Sequence, residues 1–487
     1  MGQRISRRAL MKSCAIATSL AAAPPLALGA ESRPMTYKLV REIPAEEGYD
    51  LVVAGGGPAG AAAAICAARL GAKVLLAEAT GCLGGMGTSG LVTRFAYAGD
   101  GEKMLSAGLL REICGILQER GFLKPGSTRS NWEKGGAAFQ PEGYKLVLDE
   151  LAFKAGVEVR FFTRVIDADV DRKSGTVHGV VLHNIEGYHY IRARKFIDGT
   201  GDAALAALCG VACREAGRDT PKPMAPSLCS MVSNVDWKRF KNQQEAVLQA
   251  VKDAFFTVPD THVPGLFQTS ETTGSMNAPH IFNLNALRCK SLSDGLMMGR
   301  KLAQEYIAFY RKYVPGCEKL EHVTTAALLG IRESRRIMGE YELNVNDFMA
   351  RRQFPDQIAV WHGAIDIHVY DASREDYKRY YDEFHTAGRM KKGECIGIPY
   401  GVLVPKGWKN LWVAGRPVSA DIQVHGAIRV QSAAVTMGQA AGTAAVQSIK
   451  TRRIADELDI EQLVTTLRQA GAYLPQTKTS KVMTRTT

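Results

Sequence analysis

The stretch from Asp50 to Glu78 constrains the fold of this 487-residue chain more than any other. Asp50-Leu51-Val52-Val53-Ala54 reads as a short buried strand. It runs into Gly55-Gly56-Gly57-Pro58-Ala59-Gly60 and then the alanine-rich helical segment Ala61 to Leu70, closed by Gly71. Lys73 to Ala77 is a second strand, ending at Glu78. This is a β-α-β unit with G-x-G-x-x-G at its turn. Gly55 permits the tight turn, Gly57 lets a pyrophosphate approach the backbone, and Gly60 allows close helix–strand packing. Pro58 and Ala59 open the helix, whose free N–H groups and positive dipole end face the phosphates. Glu78, 18 residues after Gly60, stands where a carboxylate accepts hydrogen bonds from an adenosine ribose. The unit predicts dinucleotide binding.

Further segments return to that unit. The loop Gly81-Cys82-Leu83-Gly84-Gly85-Met86-Gly87-Thr88-Ser89-Gly90 is too rich in glycine for packing alone, and Gly85, Met86 and Thr88 are candidate cofactor contacts. Val157 to Asp169, Thr176 to Asn184 and Tyr188 to Lys195 alternate like a three-stranded antiparallel meander, with Val165 as a further candidate contact. The meander ends in Phe196-Ile197-Asp198-Gly199-Thr200-Gly201-Asp202, of which Thr200, Gly201 and Asp202 are candidates. Gly199-x-Gly201-x-x-Ala204 could pass for a second nucleotide fingerprint, but no acid-terminated strand follows it. NAD(P)H as a direct partner is therefore disfavoured. Late in the chain Asn410 to Ala414 reads as another apolar strand, followed by Gly415-Arg416 and a small-residue helix from about Ile428 to Ile449.

The order of these segments resembles the FAD-dependent oxidoreductases of the glutathione-reductase-like superclass. It is most similar to a bacterial FAD-dependent oxidoreductase family with a GGMxTxG loop and a late VAGRxxSAxxxxHGxIRV segment. Here these read Gly84 to Gly90 and Val413-Ala414-Gly415-Arg416-Pro417-Val418-Ser419-Ala420 through His425-Gly426-Ala427-Ile428-Arg429-Val430. Gly330-Ile331-Arg332-Glu333-Ser334-Arg335-Arg336-Ile337 also looks like that family, and the similarity runs from about Tyr49 to Lys450. The resemblance implies an α/β fold: a Rossmann-type FAD-binding domain, with parallel sheet and antiparallel meander, split by an inserted substrate or cap domain. It implies FAD as cofactor, with Gly415, Arg416, Gly426 and Val430 among its contacts. In the wider superclass an Asp stands where Arg416 stands here, so that Asp's grip on the ribityl chain does not carry over. The resemblance also implies that the start of the last helix points at the N1–C2=O edge of the flavin. That makes His425 the candidate donor or acid–base group at the ring, and Arg429 a flavin or substrate contact.

The domain reading is 48–204 and 394–450 for the two parts of the FAD-binding domain, 205–393 for the cap, and 451–487 for a C-terminal helix and basic tail. In the cap, Asp294 to Tyr313 and Val323 to Gly339 read as amphipathic helices. The second would set Arg332 and Arg336 four apart on one face, either paired with Glu333, Glu340 and Glu342 or with Arg332 in the substrate pocket. His362, His368 and His385 are scattered and read as structural or exposed. No Ser-His-Asp order or H-E-x-x-H motif suggests hydrolysis or zinc, and no metal site is expected. Ten cysteines without a C-x-x-C pair read mostly as small buried residues, which argues against iron–sulfur or c-type haem groups.

The net charge of +12 does not mark a nucleic-acid binder. Arg4, Arg7, Arg8 and Lys12 sit in the first 30 residues and Lys478, Lys481 and Arg485 in the tail, which leaves +5 for the body. Residues 1–30 read as a twin-arginine export signal: Arg7-Arg8, a modest apolar run from Cys14 to Ala23, then Pro24-Pro25 and small residues. The run is too short to span a bilayer. A cut before Ala30 suits Ala27-Leu28-Gly29, as do neighbouring positions. The expectation is an exported, periplasmic or extracytoplasmic flavoprotein carried folded by the twin-arginine machinery. It would move a hydride between a small organic substrate and flavin N5, with an external electron carrier or oxygen as second partner. Two other classes stay open, a flavoprotein lyase or isomerase without net redox and a binding protein on a silent FAD fold.

Overall fold

A computed structural model describes residues 36–261, 265–385 and 388–476. Residues 1–30, expected to be an export signal, and the basic residues of the tail lie outside the described residues. Residues 36–42 have no regular structure and belong to a separate unit, Met1–Glu42; everything below concerns the unit Ile43–Thr487.

The dinucleotide unit forms as its pattern predicts: strand β1 (Ala45–Ala54), helix α1 (Pro58–Arg69) and strand β2 (Val74–Ala77), with both strand ends and most of the helix buried. The expected first meander strand is instead two strands. β3 (Glu158–Arg160) lies parallel to β2, while β4 (Arg164–Asp171) joins β5 (Thr176–Asn184) and β6 (Gly187–Asp198) in the antiparallel meander. The break has a local cause. Phe162 takes a left-handed φ of 51°, and the N–H groups of Phe162 and Thr163 donate to the carbonyls of Thr80 and Glu78, folding the chain over the end of β2. The long strand β6 belongs to both parts: its beginning pairs with β5 and its end runs parallel to β1, giving the order β3-β2-β1-β6-β5-β4.

The insert has a core of its own, in which Val232, Leu266, Met276, Phe309 and Tyr310 pack around a four-stranded antiparallel sheet. Helix α2 (Cys289–Tyr313) covers that sheet and begins five residues before the expected start. The helix expected over Val323 to Gly339 does not form. Glu321–Thr325 is an edge strand of the insert sheet and Arg335–Ile337 a short strand paired with Cys213–Glu215. Between them the backbone is irregular and bonded to other segments: Ala327 and Leu328 donate to the Ser89 carbonyl, and Gly330 to that of Ser227. Tertiary hydrogen bonds outcompete the helical period there, so Arg332 and Arg336 do not share a helical face. The later part of the insert reaches the nucleotide domain, since Leu343, Phe348, Trp361 and Ile396 lie in the same core as α1.

The chain then returns. Strand β7 (Leu411–Val413) lies parallel to the end of β6. The helix expected from about Ile428 to Ile449 forms as α4 (Gln431–Thr451), preceded by a short separate helix α3 (Ile422–Ile428) and followed by α5 (Ile460–Gln469). Asp421 caps α3, its carboxylate accepting from Val424 N at 2.8 Å and from Val345 N at 2.6 Å. α4 is buried along nearly its whole length and crosses α1 at backbone contact. A Cβ on Gly438 would stand 2.1 Å from the Ala59 carbonyl oxygen, so only glycine fits the crossing.

Candidate cofactor and substrate site

Strands β1, β2, β6 and β7 all end on one edge of the sheet, with Ala54 in register with Ala77 and Asp198, and Asp198 with Val413. Gly55–Gly60, Glu78, Gly199–Asp202 and Gly415–Arg416 leave from that edge, the place where parallel α/β sheets bind ligands.

Gly55 donates from its N–H to the Ala77 carbonyl at 2.7 Å and holds a φ of 89° that a side chain would strain. A Cβ on Gly60 would stand 1.8 Å from the Gly55 oxygen. Gly57 is the N-cap of α1 and Pro58 its first residue; no side chain caps the helix and no acid sits in its first turn. Gly85 lies over Gly57, and Gly415 over Ala59. The Gly84 N–H donates to the Gly56 carbonyl at 2.8 Å, which ties the second glycine loop to the first. Met86 is fixed through its carbonyl, which accepts from Val92 N, and the buried Thr88 hydroxyl donates to Leu83 O at 2.7 Å. Val165 packs against the core beneath the meander.

Glu78 is buried, and protein donors already occupy most of its carboxylate. Oε2 accepts from Gly56 N at 2.6 Å, while Oε1 accepts from Thr80 N and Thr80 Oγ1, each at 2.7 Å. About one acceptor position of roughly four remains for a ribose hydroxyl. Asp198, not singled out from sequence, does similar work for the second turn: fully buried, it accepts from Thr200 N, Thr200 Oγ1 and Ala206 N. Arg416 is a brace. Its guanidinium donates to Gly201 O at 2.7 Å, to Ile331 O at 2.6 Å and to Asp202 Oδ1 at 2.5 Å, locking the β6 turn to the insert.

The start of α4 gathers the charged side chains. His425 lies inside α3 rather than in a turn before the helix and is fully buried, its ring facing the backbone of Arg416. Burial and the charges of Arg336, Arg429 and Arg416 hold its imidazole well below the usual range, so it is neutral. Arg429 bonds to the carbonyl and, at 3.0 Å, the carboxylate of Asp366, whose backbone packs on Gly426. Val430 is the N-cap of α4, which has neither a side-chain cap nor an acid in its first turn. Arg332 is buried and donates to neutral groups, Ala225 O and Ser227 Oγ; burial and Arg429 push its guanidinium down to about 10. The expected ion pairing holds only in part. Glu333 lies 3.9 Å from Arg336, which also pairs with Asp219, but Glu342 pairs with Arg214, and Glu340 accepts from Gly407 N.

Asp366 and the neighbourhood of His368 escaped the sequence reading. His362 is structural, with Nδ1 at 2.9 Å from Glu394 O, whereas His368 is buried and bonded to His280. A D-x-H pair, Asp366-Ile367-His368, was the available signal: on an extended segment it sends both side chains to one side. The His385 side chain lies outside the described residues.

The residues fit a flavin dinucleotide. Two uncapped helix N-termini, those of α1 and α4, converge where Ala59 meets Gly415 and Ala434, and Gln431 Oε1 and Arg429 Nε are buried polar atoms without a partner among the described residues. Among the described residues no group of His, Cys, Asp and Glu could hold a metal ion, and no helix is long and apolar enough to cross a membrane.

The sequence model of the FAD-dependent oxidoreductase family matches residues 50–467. No curated protein matches the chain. Among solved structures, a geranylgeranyl bacteriochlorophyll reductase-like protein of Thermoplasma acidophilum is similar, at 14% identity over 87% of this chain and 83% of that one, with a TM-score of 0.44. A flavin-dependent brominase is similar at 14% identity over 87% and 83%, with a TM-score of 0.42. The myxobacterial chondrochloren halogenase is similar at 16% identity over 88% and 79%, also with a TM-score of 0.42. Likenesses this distant bear on neither substrate nor reaction.

Proposed function

Because this chain belongs to the FAD-dependent oxidoreductase family and its cofactor is FAD, we propose that it moves a hydride between a small organic molecule and flavin N5, with an external carrier or oxygen as the second partner. Bound FAD supplies the two-electron chemistry; the protein supplies binding, orientation and electrostatics. The observation that carries the reading is the meeting of insert and return segment, where the Asp366 carboxylate lies 3.0 Å from Arg429 and its backbone packs on Gly426. Charged side chains of the insert thereby reach the flavin-side helices.

In this reading the N–H groups at the start of α1 hold the pyrophosphate, Glu78 holds the ribose with its remaining acceptor position, and the loop from Gly84 to Thr88 closes over the chain of the cofactor. The open N-terminus of α4 and the Arg429 guanidinium put positive potential at the flavin edge. His425, held neutral, can donate or accept a hydrogen bond there without adding charge. Arg332 faces the substrate from the insert. The test is an anaerobic screen of a metabolite extract for compounds that bleach the bound flavin. Product without bleaching would favour a lyase or isomerase, and saturable binding without product a binding protein.

The leader completes the proposal: an exported protein, folded around FAD in the cytoplasm and carried by the twin-arginine route. Replacing Arg7 and Arg8 by Lys should trap FAD-loaded protein in the cytoplasm, and normal export of that variant would point to another route.

A further inference from the structure

A row of buried side chains runs through the insert to the Asp366–Arg429 pair. Asp260 Oδ2 lies 2.7 Å from His280 Nδ1, His280 Nε2 lies 2.6 Å from His368 Nε2, and His368 Nδ1 lies 3.6 Å from Asp366 Oδ1. Tyr377 donates its hydroxyl to the other oxygen of Asp260. Asp366 Oδ2 in turn accepts from Arg429. The Asp366 side chain is 27% exposed, whereas those of His368, His280 and Asp260 are 4%, 0% and 3% exposed. The row is therefore open to a small molecule at Asp366 and sealed at Asp260.

The distances dictate where protons sit. Two imidazole nitrogens 2.6 Å apart repel unless one hydrogen lies between them. At 2.7 Å from a carboxylate, His280 Nδ1 must also carry its hydrogen. Those two hydrogens make the pair of rings neutral overall. The one further basic position is His368 Nδ1, set at ion-pair distance from Asp366. Burial and Arg332 hold the His368 ring well below its usual range, which fits a neutral resting pair. Adding a proton at His368 Nδ1 gives the pair one positive charge. The added charge lies between two carboxylates, Asp366 beside it and Asp260 behind His280, which offset it against Arg429 and Arg332.

We propose that Asp260, His280, His368 and Asp366 form a proton-holding array that takes up the one proton released when the substrate is oxidised by hydride transfer and returns it in the reverse direction. The inference rests on the oxidoreductase reading above. Oxidation of a carbon bearing a hydroxyl or amine breaks two bonds. The C–H bond breaks with its electron pair, which leaves with that hydrogen to the FAD as the oxidant. The O–H or N–H bond leaves its electron pair behind as the new double bond, and its proton passes by Asp366 to His368 Nδ1. Asp366 is the member that reaches the substrate and His368 the one that takes the proton; His280 and Asp260 are positioning residues that set the basicity of His368.

The test joins a spectroscopic and a kinetic readout on the FAD-loaded full-length protein. In wild type labelled with 15N-histidine, proton NMR should show a resonance far downfield of the amides, from the hydrogen between the two rings. His368→Gln should remove it, and Asp260→Asn, the milder change, should shift it. With the bleaching fraction of the metabolite extract as the probe, both variants should keep FAD yet bleach more slowly, His368→Gln by roughly 100- to 10,000-fold, the usual worth of a positioned acid–base group. Absence of the resonance in wild type overturns the proposal, as does wild-type bleaching in either variant. If no fraction bleaches the wild-type flavin, the oxidoreductase reading fails and the array loses its task. That outcome differs from bleaching that ignores the substitutions, which overturns the array alone.

Discussion

Gly55–Gly60 and Gly199–Asp202 make their part of the site almost wholly from backbone, whereas Arg332, Asp366, His368 and Arg429 make theirs from polar and charged side chains, of which Arg332 and His368 are buried. The turn side depends on what is missing: a Cβ on Gly60 would stand 1.8 Å from a carbonyl oxygen. The insert side depends on polar partners brought from distant segments: Arg429 meets the Asp366 carboxylate 63 residues away, and Arg332 meets the Ala225 carbonyl and the Ser227 hydroxyl. The first kind of site fails by crowding and the second by leaving a charge unpaired.

The largest expected effect is on the crowded side. Gly60→Ala drives a methyl into the Gly55 carbonyl, a clash with backbone that cannot step aside. It should cost at least about 3 kcal/mol, the upper end of overpacking penalties. A thermal melt would then show a large loss of folded protein, and a wild-type melt with FAD bound would show that the two segments do not touch as described. On the charged side, Arg332→Met should leave FAD binding intact and slow flavin bleaching by roughly 100- to 1,000-fold, the range for losing one preorganised donor. An equal loss of FAD would erase the distinction between the two sides. Glu78→Ala sits between them. It removes an acceptor for the ribose and also the anchor of Gly56 and Thr80, and should weaken FAD roughly 10- to 150-fold, about 1.5–3 kcal/mol, by equilibrium titration.

The smallest effect asks whether charge burial matters on the turn side too. Burial, and then the charge of Arg194, push the Lys195 amine of β6 down to about 8. An unfolded lysine keeps its proton to about 10.4. Between those pH values the unfolded chain holds more protons than the folded one, so stability rises with pH. Lys195→Met should flatten that rise, by on the order of 1 kcal/mol once solvent screening is allowed for. Parallel melts of the two proteins from pH 8 to about 10 would check it.

What could be read from the sequence follows the same division. β1, α1 and β2 announce themselves because strand, turn and helix are consecutive in the chain. β7 and the body of α4 were legible for the same reason. The strand expected over Val157 to Asp169 hid its break at Phe162, because the bonds that cause it come from Thr80 and Glu78. The helix expected over Val323 to Gly339 was lost to Ser89 and Ser227, partners with no local trace. Arg332, Arg429 and His425 were visible as residue types in a motif, but not their neighbours. Asp366 and His280 are ordinary in sequence and become chemical only where the fold brings them to Arg429 and His368.

The most direct test of the account needs no substrate. Its central claim is that the Arg429 guanidinium and the neutral His425 stand at the edge of a flavin held by the glycine turn. Spectroelectrochemical titration of the FAD-loaded wild type beside Arg429→Met and His425→Gln reads that directly. The account predicts a lower flavin reduction potential in both variants, most of all in Arg429→Met, with FAD retained. Wild-type potentials in both would contradict it.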